Sequence, residues 1–216
     1  MSQQTLSDDS PFLDQEARAE LRARKCEAIL VAAVRMFNER GYHATSLDDV
    51  AASLGISKPV VYHYLGNKEQ VLFECMQRGL SELRSALDEA RIQPGSGLDR
   101  LKSFLVRYAQ INMADFGRCV IRTGDEVLSP DNRARFRALK REIDSQLRGL
   151  VEDAAADGSA HVEDVRLATF AIAGALNWPA RWHVEGGAMA PEQIADELVG
   201  FLVAGLQPRR EGERAT

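Results

Sequence analysis

The fold of this chain is decided by residues 45–68, which read TSLDDVAASLGISKPVVYHYLGNK. Thr45, followed three residues later by Asp48, predicts the start of a helix, because its side-chain oxygen can accept from a free backbone N–H group. Apolar residues at helical spacing follow, namely Val50, Ala51 and Leu54. Gly55 favours the left-handed backbone at which many helices end. We therefore expect a short helix followed by a tight turn.

A second short helix is predicted directly after this turn. Ser57 suits its N-cap, and Pro59 fits the first turn, where its missing N–H group would be unpaired in any case. This helix ends near Gly66, and Asn67 with Gln70 forms another helix-start pattern. A helix, a glycine turn and a short helix make the helix-turn-helix arrangement, whose second helix enters the major groove of DNA.

This segment resembles the DNA-binding signature of the TetR family of transcriptional repressors. The matching elements are Ala51, residues 54–57, 61–64 and 67–69, and upstream residues 32–37, 41–42 and 45–46. They recur in the family's order and spacing over roughly residues 24–72. The resemblance implies an N-terminal DNA-binding domain joined to a C-terminal domain that binds a ligand and forms a dimer.

Composition and targeting signals indicate a cytoplasmic protein. Charged residues make up 27% of the chain and hydrophobic residues 45%, an ordinary globular balance. No apolar run approaches the roughly 18 to 20 residues of a membrane span. The polar segment 1–14 lacks the apolar core of a signal peptide. Cys26, Cys75 and Cys119 lie in helical patterns, which indicates buried thiols, with a redox sensor as the alternative.

The net charge of −5 argues against a strongly basic DNA-binding protein. Basic residues are nevertheless concentrated where the motif needs them. Arg22, Arg24 and Lys25 lie on the first helix, and Lys58 and Lys68 flank the second helix of the motif. Few phosphate contacts imply modest non-specific affinity and a shallow dependence on salt.

The sequence as a whole predicts an all-α fold of about nine helices. Apolar residues recur at helical spacing, and no segment shows the alternation of apolar and polar residues that is typical of a strand. The predicted domains are a helix-turn-helix DNA-binding domain of three helices at 15–68 and a ligand-binding and dimerisation domain at 69–206. Residues 1–14 and 207–216 are predicted to be disordered tails. Long helices are expected at 15–40, 68–91, 98–113, 131–156, 162–184 and 191–206, with a short one at 116–122.

The family resemblance places the short second helix of the motif in the major groove. The residues predicted to contact DNA are Arg24, Thr45, Ser46, Lys58, Pro59, Val60, Tyr62, His63 and Lys68. The hydroxyl of Tyr62 would reach a phosphate, and Lys58 a phosphate or a guanine edge. Lys68 lies at a helix start, where a phosphate is favoured. The alternatives are a core aromatic at Tyr62 and a solvated ammonium at Lys58.

The last two predicted helices are apolar on more than one face, so a second copy of the chain is the expected cover for one of those faces. The predicted dimer interface comprises Leu167, Ala171, Gly174, Ala175, Ile194, Leu198, Phe201 and Leu202. The alternative is a core formed within one chain. A two-fold dimer would present two recognition helices to a palindromic operator.

Part of the C-terminal half is similar to a pattern in TetR relatives that respond to acyl-CoA thioesters. The similar residues are 174–178, 181–182, 186–187 and 191–192, with His183 where the pattern usually has Tyr. Asn177, Trp178, Arg181 and Trp182 would offer flat apolar area, an amide and a cation to an anionic or aromatic ligand. The alternative is that both tryptophans pack in the dimer interface.

A second group of candidate ligand residues lies on the middle helices. The residues that could line a cavity are Phe104, Tyr108, Met113 and Phe116, and those at its mouth are Arg118, Arg122 and Asp125. Core packing is the alternative for the aromatic residues, and a solvated ion pair is the alternative for Arg122 and Asp125.

An enzyme is not expected, because the four histidines are scattered and no phosphate loop or nucleophile elbow is present. No cofactor or metal is predicted. The predicted function is a transcriptional repressor that binds a palindromic operator as a homodimer and is released by a small organic effector, with an acyl-CoA thioester as the candidate. The alternatives are a repressor responding to a hydrophobic drug or an aromatic acid, and a ligand-independent architectural DNA-binding dimer.

Overall fold

The structure, a computed structural model, describes residues 15–207, and these residues form ten α-helices, one 3₁₀ turn and no strand. The helices are α1 Gln15–Arg40, α2 Leu47–Ser53, α3 Lys58–Leu65, α4 Lys68–Arg91, α5 Gly97–Met113, α6 Asp115–Arg122, α7 Pro130–Ala156, α8 Val165–Asn177, α9 Pro179–Trp182 and α10 Pro191–Leu206. The predicted all-α fold is confirmed. The predicted tails lie outside the described residues, except for Gln207, which is exposed.

Two compact units make up the described chain, and they divide between Glu74 and Cys75. This division lies inside α4, whereas the sequence predicted a boundary before residue 69. The first unit contains α1, α2, α3 and the first two turns of α4. The second contains the rest of α4 and every later helix. No helix within residues 15–207 is both long enough and apolar enough to span a membrane.

The first unit is built on a core that α1 shares with the two short helices. The buried residues are Ile29, Ala33, Val34 and Phe37 of α1, Leu47, Val50 and Ala51 of α2, and Val61 and Leu65 of α3. The turn between α2 and α3 contains Gly55 at a φ of 65°, which a residue with a side chain rarely adopts. The predicted helix-turn-helix arrangement is therefore present.

The cap of α2 is a correction to the sequence prediction. Ser46 is the N-cap, and its hydroxyl accepts from the backbone N–H of Asp49, whose carboxylate in turn accepts from the backbone N–H of Ser46. The predicted pair of Thr45 and Asp48 is wrong by one residue. Thr45 is buried instead, and its hydroxyl donates to carbonyl oxygens at the end of α1 and in the following turn.

The second unit is organised around α5, which packs against α6, α7, α8, α9 and α10. Its start is fixed by Ser96 and Asp99, which form a reciprocal capping box. A Cβ atom at Gly97 would lie 2.5 Å from the Cα of Ala154, so glycine is required where α5 and α7 approach. The carboxylate of Asp157 also accepts from the Gly97 backbone N–H at 2.6 Å.

The predicted helix 162–184 is interrupted in the structure. It begins at Val165, where Asp164 caps the free N–H groups, and it ends at Asn177. A separate short helix, α9, follows from Pro179, which has no N–H group to continue the hydrogen-bond ladder of α8. This interruption decides which residues of the segment face the core.

Candidate DNA-binding surface and effector cavity

The candidate DNA-binding surface is the outer face of α3. Val61 and Leu65 are buried against α1 and α2, while Lys58 and Pro59 are exposed and Tyr62 keeps 43% of its surface accessible. Tyr62 is therefore not a core aromatic residue. Three of the predicted DNA-contacting residues therefore share the outward face of one short helix, which is the arrangement expected of a recognition helix.

Lys58 is not a free solvated lysine. Its ammonium donates to the carboxylate of Asp48 on α2 at 2.9 Å, and it lies 5.7 Å from the ring centroid of Tyr62. The hydrogen bond to Asp48 raises the pKa of the Lys58 ammonium. The first residue of α3 is therefore held in place by a side chain of α2.

Basic residues of α1 lie beside the other end of the same face. The guanidinium of Arg22 is 3.5 Å from Nε2 of His63 and 5.3 Å from the ring centroid of Tyr64, and the Lys25 ammonium is 5.8 Å from that ring. Arg24, the predicted contact on this helix, pairs with Glu20 at 2.6 Å. The sequence placed all three cations on α1, but only the structure brings Arg22 and Lys25 to α3.

A third basic position is Lys68 at the start of α4. Its ammonium lies 4.2 Å from the ring centroid of Tyr42 and 3.4 Å from the backbone oxygen of His43. Partial burial lowers the pKa of the Lys68 ammonium. Tyr42 was recognised in the sequence only as part of the family signature, so its stacking under Lys68 was missed.

Two predicted DNA contacts fall on the turn before α2, and they differ. Ser46 is exposed as the N-cap. Thr45 has no free hydroxyl group for a phosphate, because that group is buried and bonded inside the turn. The remaining predicted contacts on α3, Val60 and His63, are half-buried and exposed respectively. Their roles at DNA stay predictions.

The second unit contains a cavity of about 140 Å³. Its apolar wall comprises Leu80, Leu83, Val120, Ile121, Ile143 and Leu147. Tyr108, Asn112 and Asn177 form a polar end. The Tyr108 hydroxyl donates to Oδ1 of Asn177 at 3.0 Å, and Nδ2 of Asn112 donates to the same oxygen at 2.9 Å. Burial raises the pKa of Tyr108 to about 12, so its hydroxyl keeps its proton.

The polar end of this cavity is incompletely paired. Oδ1 of Asn112 is buried and accepts no hydrogen bond from the described residues. Lys140, which is exposed, and Asp144, which is half-buried, complete the lining from α7. Asp144 pairs with Arg148 at 2.7 Å. An apolar wall, a buried amide with unused bonding capacity and a cation at the rim are suited to a compact apolar group carrying a polar atom.

The predicted ligand residues divide between this cavity and other places. Tyr108 and Asn177 line the cavity. Phe104 is fully buried and packs edge-on against Tyr108, with ring centroids 5.5 Å apart, so it supports the cavity from within the core. Arg122 is exposed, and Asp125 pairs with Arg137 at 2.6 Å. That ion pair is the predicted alternative for Asp125, although its partner is Arg137 and not Arg122.

The two tryptophans point away from the cavity. Trp178 is 62% exposed and Trp182 is 49% exposed, and neither lines the cavity that Asn177 lines. Arg181 is exposed and donates to the backbone oxygen of Ile121 at 3.3 Å. Adjacent residues of a helix point about 100° apart, so Asn177 faces inward while Trp178 faces outward.

A second concavity of about 300 Å³ contains the residue at which the chain departs from the acyl-CoA-type pattern. His183 is buried, and its Nδ1 lies 3.0 Å from the guanidinium of Arg118. Arginine can only donate, so Nδ1 accepts and His183 is neutral. Burial lowers the pKa of His183, and the positive charge of Arg118 lowers it further. His183 therefore accepts a hydrogen bond from Arg118. It is not among the residues that line the 140 Å³ cavity.

The predicted dimer interface corresponds to an apolar outer face of α8 and α10. Leu167, Phe170 and Trp178 at α8 and Phe201 of α10 are each at least half exposed. Ala171 and Gly174 are exposed between them, and Ala175, Leu198 and Leu202 are half-buried. Ile194 is buried in the core of its own chain and has little surface to offer a partner.

The cysteines are placed as expected for structural thiols. Cys75 and Cys119 are fully buried, and Cys26 is half-buried. Burial raises the pKa of the Cys119 thiol to about 12, which disfavours the reactive thiolate. Within residues 15–207, no group of three or more His, Cys, Asp or Glu side chains could hold a metal ion.

Comparison with known families gives two matches that together include both units. Residues 29–75 match "Bacterial regulatory proteins, tetR family". Residues 94–206, more than half of the chain, match "Tetracyclin repressor-like, C-terminal domain". Among curated relatives, the chain is 26% identical over 194 residues to the HTH-type transcriptional repressor KstR2 of Mycolicibacterium smegmatis, covering 85% of this chain and 91% of that protein.

Two solved structures are similar to this chain in both fold and sequence. PfmR, a TetR family regulator from Thermus thermophilus, is 32% identical with a TM-score of 0.75, over 83% of this chain and 99% of that one. AibR, solved in complex with isovaleryl coenzyme A and operator DNA, is 27% identical with a TM-score of 0.73, over 83% of this chain and 98% of that one.

Proposed function

Because the chain belongs to the TetR family of bacterial regulatory proteins, as its motifs predicted, we propose that it is a cytoplasmic transcriptional repressor. It binds a palindromic operator as a homodimer and is released when a small organic effector enters the second unit. The observation that carries this proposal is the outward face of α3, where Lys58 and Tyr62 stand exposed above a packed helix-turn-helix core.

At the DNA, the proposed roles follow from exposure and charge. Tyr62 donates its hydroxyl to a phosphate, and Pro59 offers apolar contact to a thymine methyl group. Around the helix, the cations Arg22, Lys25 and Lys68 neutralise phosphates. These contacts position α3 on the DNA but do not read its sequence. Lys58 is the candidate for a base or phosphate contact, because it is the exposed cation at the start of α3.

The homodimer is supported by the exposed apolar face of α8 and α10. Leu167, Phe170, Trp178 and Phe201 leave large apolar side chains in water, which is unfavourable by about 25 cal/mol per Å² of apolar surface. Ala171 and Gly174 between them permit close approach of another helix. A second copy that covers this face gives the two-fold symmetry that a palindromic operator requires.

The effector is proposed to be a compact acyl or aryl compound, and an acyl-CoA thioester is the leading candidate. An apolar cavity of about 150 Å³ accommodates a benzene molecule, and the cavity here is of similar volume, about 140 Å³. The rim residue Lys140 can donate to a carbonyl group, and the unpaired Oδ1 of Asn112 can accept from a hydroxyl or N–H group of the effector. AibR, a relative of the same fold, binds isovaleryl coenzyme A.

Release from the operator is proposed to use α4. This helix carries Lys68 of the DNA-binding surface at its start and Leu80 and Leu83 of the cavity wall in its middle. An effector that binds one arrangement of the wall more tightly shifts the population of that arrangement. Because DNA fixes the spacing of the half-sites, a small displacement of α3 in each protomer weakens operator binding.

The test is fluorescence anisotropy of the protein on DNA from immediately upstream of its own gene. The competitors are acetyl-, isovaleryl- and benzoyl-CoA, the matching free acids, and a hydrophobic cationic dye. Selective binding that one thioester reverses supports the proposal. Reversal by a free acid or the dye identifies the drug or aromatic-acid alternative, and binding that nothing reverses identifies an architectural dimer. A protein that does not distinguish this DNA from a scrambled duplex contradicts the repressor assignment.

A further inference from the structure

We propose that a cleft lined by arginines on α7 binds the phosphate groups of the effector, whose acyl or aryl group occupies the neighbouring cavity. The cleft has a volume of about 350 Å³ and is lined by Pro130, Arg133, Ala134, Arg137 and Arg141. We call it the arginine cleft. This inference rests on the proposed function and specifies which effectors the second unit accepts.

The charge of this part of α7 differs from that of the chain as a whole. Residues 132–141 read NRARFRALKR and contain Arg133, Arg135, Arg137, Lys140 and Arg141 without an acidic residue, although the net charge of the protein is −5. Arg133, Arg137 and Arg141 follow one another at four-residue spacing, so they share one face of the helix. A basic face on an acidic protein favours an anionic ligand.

Two of the three arginines are held in place by the chain. Arg133 donates to the backbone oxygens of Asp125, Glu126 and Leu128 at 2.7 to 2.9 Å. Arg137 makes a bidentate ion pair with Asp125, through contacts of 2.6 and 3.1 Å. Both guanidinium groups are therefore ordered before any ligand arrives, which reduces the entropy lost on binding.

The third arginine, Arg141, has guanidinium N–H donors that the described residues do not use. Its side chain is exposed, and it makes no hydrogen bond or ion pair with any residue of the described range 15–207. The nearest acidic residues along α7 are engaged elsewhere, since Glu142 pairs with Arg84 and Asp144 pairs with Arg148. Among the described residues that line the cleft, three are arginines and none is acidic, and Asp125 pairs with one of the three, Arg137.

The cleft and the cavity lie on adjacent faces of the same turns of α7. Lys140, the residue before Arg141, lines the cavity together with Ile143 and Asp144. Residues three or four positions apart on a helix have Cβ atoms about 5 to 6 Å apart, so Arg137 and Arg141 flank the cavity rim at Lys140 and Asp144. A ligand with a flexible linker can therefore place a small apolar group in the cavity and fold its charged group into the cleft.

Phosphate is the anion that suits this arrangement. A guanidinium group offers two parallel N–H donors that match the oxygens of a phosphate or of a carboxylate. A phosphate group carries more negative charge than a carboxylate, so a cleft lined by three arginines favours it. A thioester of a phosphate-bearing carrier can occupy both regions. A small free carboxylic acid cannot occupy both regions at once, so it is expected to bind more weakly and with less dependence on salt.

The test compares acetyl-, isovaleryl- and benzoyl-CoA with their N-acetylcysteamine thioesters, which keep the acyl group and lack the phosphates. Titration calorimetry is performed on the full chain and on Arg141→Glu, Arg141→Gln and the control Arg107→Ala, an exposed arginine of α5 that lines neither region. We expect Arg141→Glu to weaken the best CoA thioester by about tenfold or more, Arg141→Gln to weaken it less, and Arg107→Ala to leave it unchanged. The N-acetylcysteamine thioester should bind all four proteins equally.

Several results would overturn the proposal while leaving the repressor assignment intact. One is a CoA thioester that binds no more tightly than its N-acetylcysteamine counterpart, or equally to Arg141→Glu and the unchanged protein. Another is a loss of operator affinity in Arg141→Glu with thioester binding preserved, which would assign the cleft to DNA phosphates. Circular dichroism of each variant distinguishes these results from misfolding, and Arg141→Gln gives the same comparison without a reversed charge.

Discussion

The carboxylate of Asp48 on α2 lies 2.9 Å from the ammonium of Lys58 on α3, so the motif's first helix partly neutralises the start of its second. Both side chains are more than half exposed, which makes this pair weak in isolation. In the proposed complex with DNA, a phosphate competes with Asp48 for the Lys58 ammonium. We therefore expect Asp48 to lower the affinity of the protein for any duplex that makes no specific contact with Lys58.

Replacing Asp48 with Asn should therefore raise non-specific DNA affinity. We expect tighter binding to a scrambled duplex and an increase of about one in the salt slope, because Lys58 becomes free to neutralise one more phosphate. Anisotropy titrations at several salt concentrations, on operator and scrambled DNA, measure both quantities. Glu142→Gln, which releases Arg84 from an exposed pair in the second unit, is the matched control. An unchanged slope for Asp48→Asn would contradict the competition between Asp48 and phosphate.

Substitutions at the neighbouring residues Tyr62 and Val61 should affect different properties, operator affinity at Tyr62 and stability at Val61. Tyr62→Phe should weaken operator binding by about fivefold, since one phosphate hydrogen bond is lost, and should leave the melting temperature unchanged. Val61→Ala should instead cost about 1 to 3 kcal/mol of unfolding free energy, because Val61 is fully buried. Operator titration and thermal unfolding of both variants separate the two roles. A lower melting temperature for Tyr62→Phe would indicate that the Tyr62 side chain packs in the core.

Filling the cavity should separate effector response from DNA binding. Ala173 lines the cavity, and Ala173→Leu reduces a volume of only about 140 Å³. We expect a variant that binds the operator normally and is not released by the effector. Ala156→Leu, at an exposed alanine near the end of α7, is the control for added bulk. Normal release of Ala173→Leu from operator DNA would show that the effector binds elsewhere.

Charge on the exposed apolar face should prevent dimer formation. Phe201 is 78% exposed on α10, and Phe201→Glu would bring two like charges into a two-fold interface with no solvent to screen them. We expect a monomer in analytical ultracentrifugation and a large loss of operator affinity. Ile92→Glu makes the same kind of change at another exposed hydrophobic residue, 85% accessible and outside α8 and α10, and should remain a dimer. A dimeric Phe201→Glu would contradict the assignment of this face.

Stability of the second unit should decrease below about pH 6.5 because of His183. Burial and the Arg118 guanidinium lower the pKa of His183 below its ordinary value of 6.5, against the opposing effect of Glu185 and Glu192. The unfolded chain then binds a proton that the folded chain does not, so the stabilisation present above pH 6.5 is lost as the pH falls. Calorimetric melting temperatures between about pH 5.5 and 7.5 measure this. His183→Gln, which can still accept from Arg118, should flatten the profile, and an unchanged slope would contradict the assignment.

The long helices and the motif could be predicted from the sequence because their causes are local. Apolar spacing and the flanking glycine and proline residues act within one or two turns, and the observed end of α1 at Arg40 and the bounds of α4, Lys68–Arg91, are those expected. The error at Thr45 arose because Thr45 and Ser46 are both good caps. The structure assigns the cap to Ser46 because the Thr45 hydroxyl is bonded within the preceding turn.

The helix-turn-helix, the all-α class and the membership of a regulator family were thus determined by the sequence alone. Only the tertiary structure decided what each helix face meets. Asn177 points into the cavity and Trp178 into solvent, although they are adjacent. Lys140 and Asp144 resemble an ordinary exposed pair at four-residue spacing until packing places a cavity beside them. Helical periodicity fixes the angles between side chains, but the orientation of a helix against its neighbours depends on contacts between residues far apart in the chain.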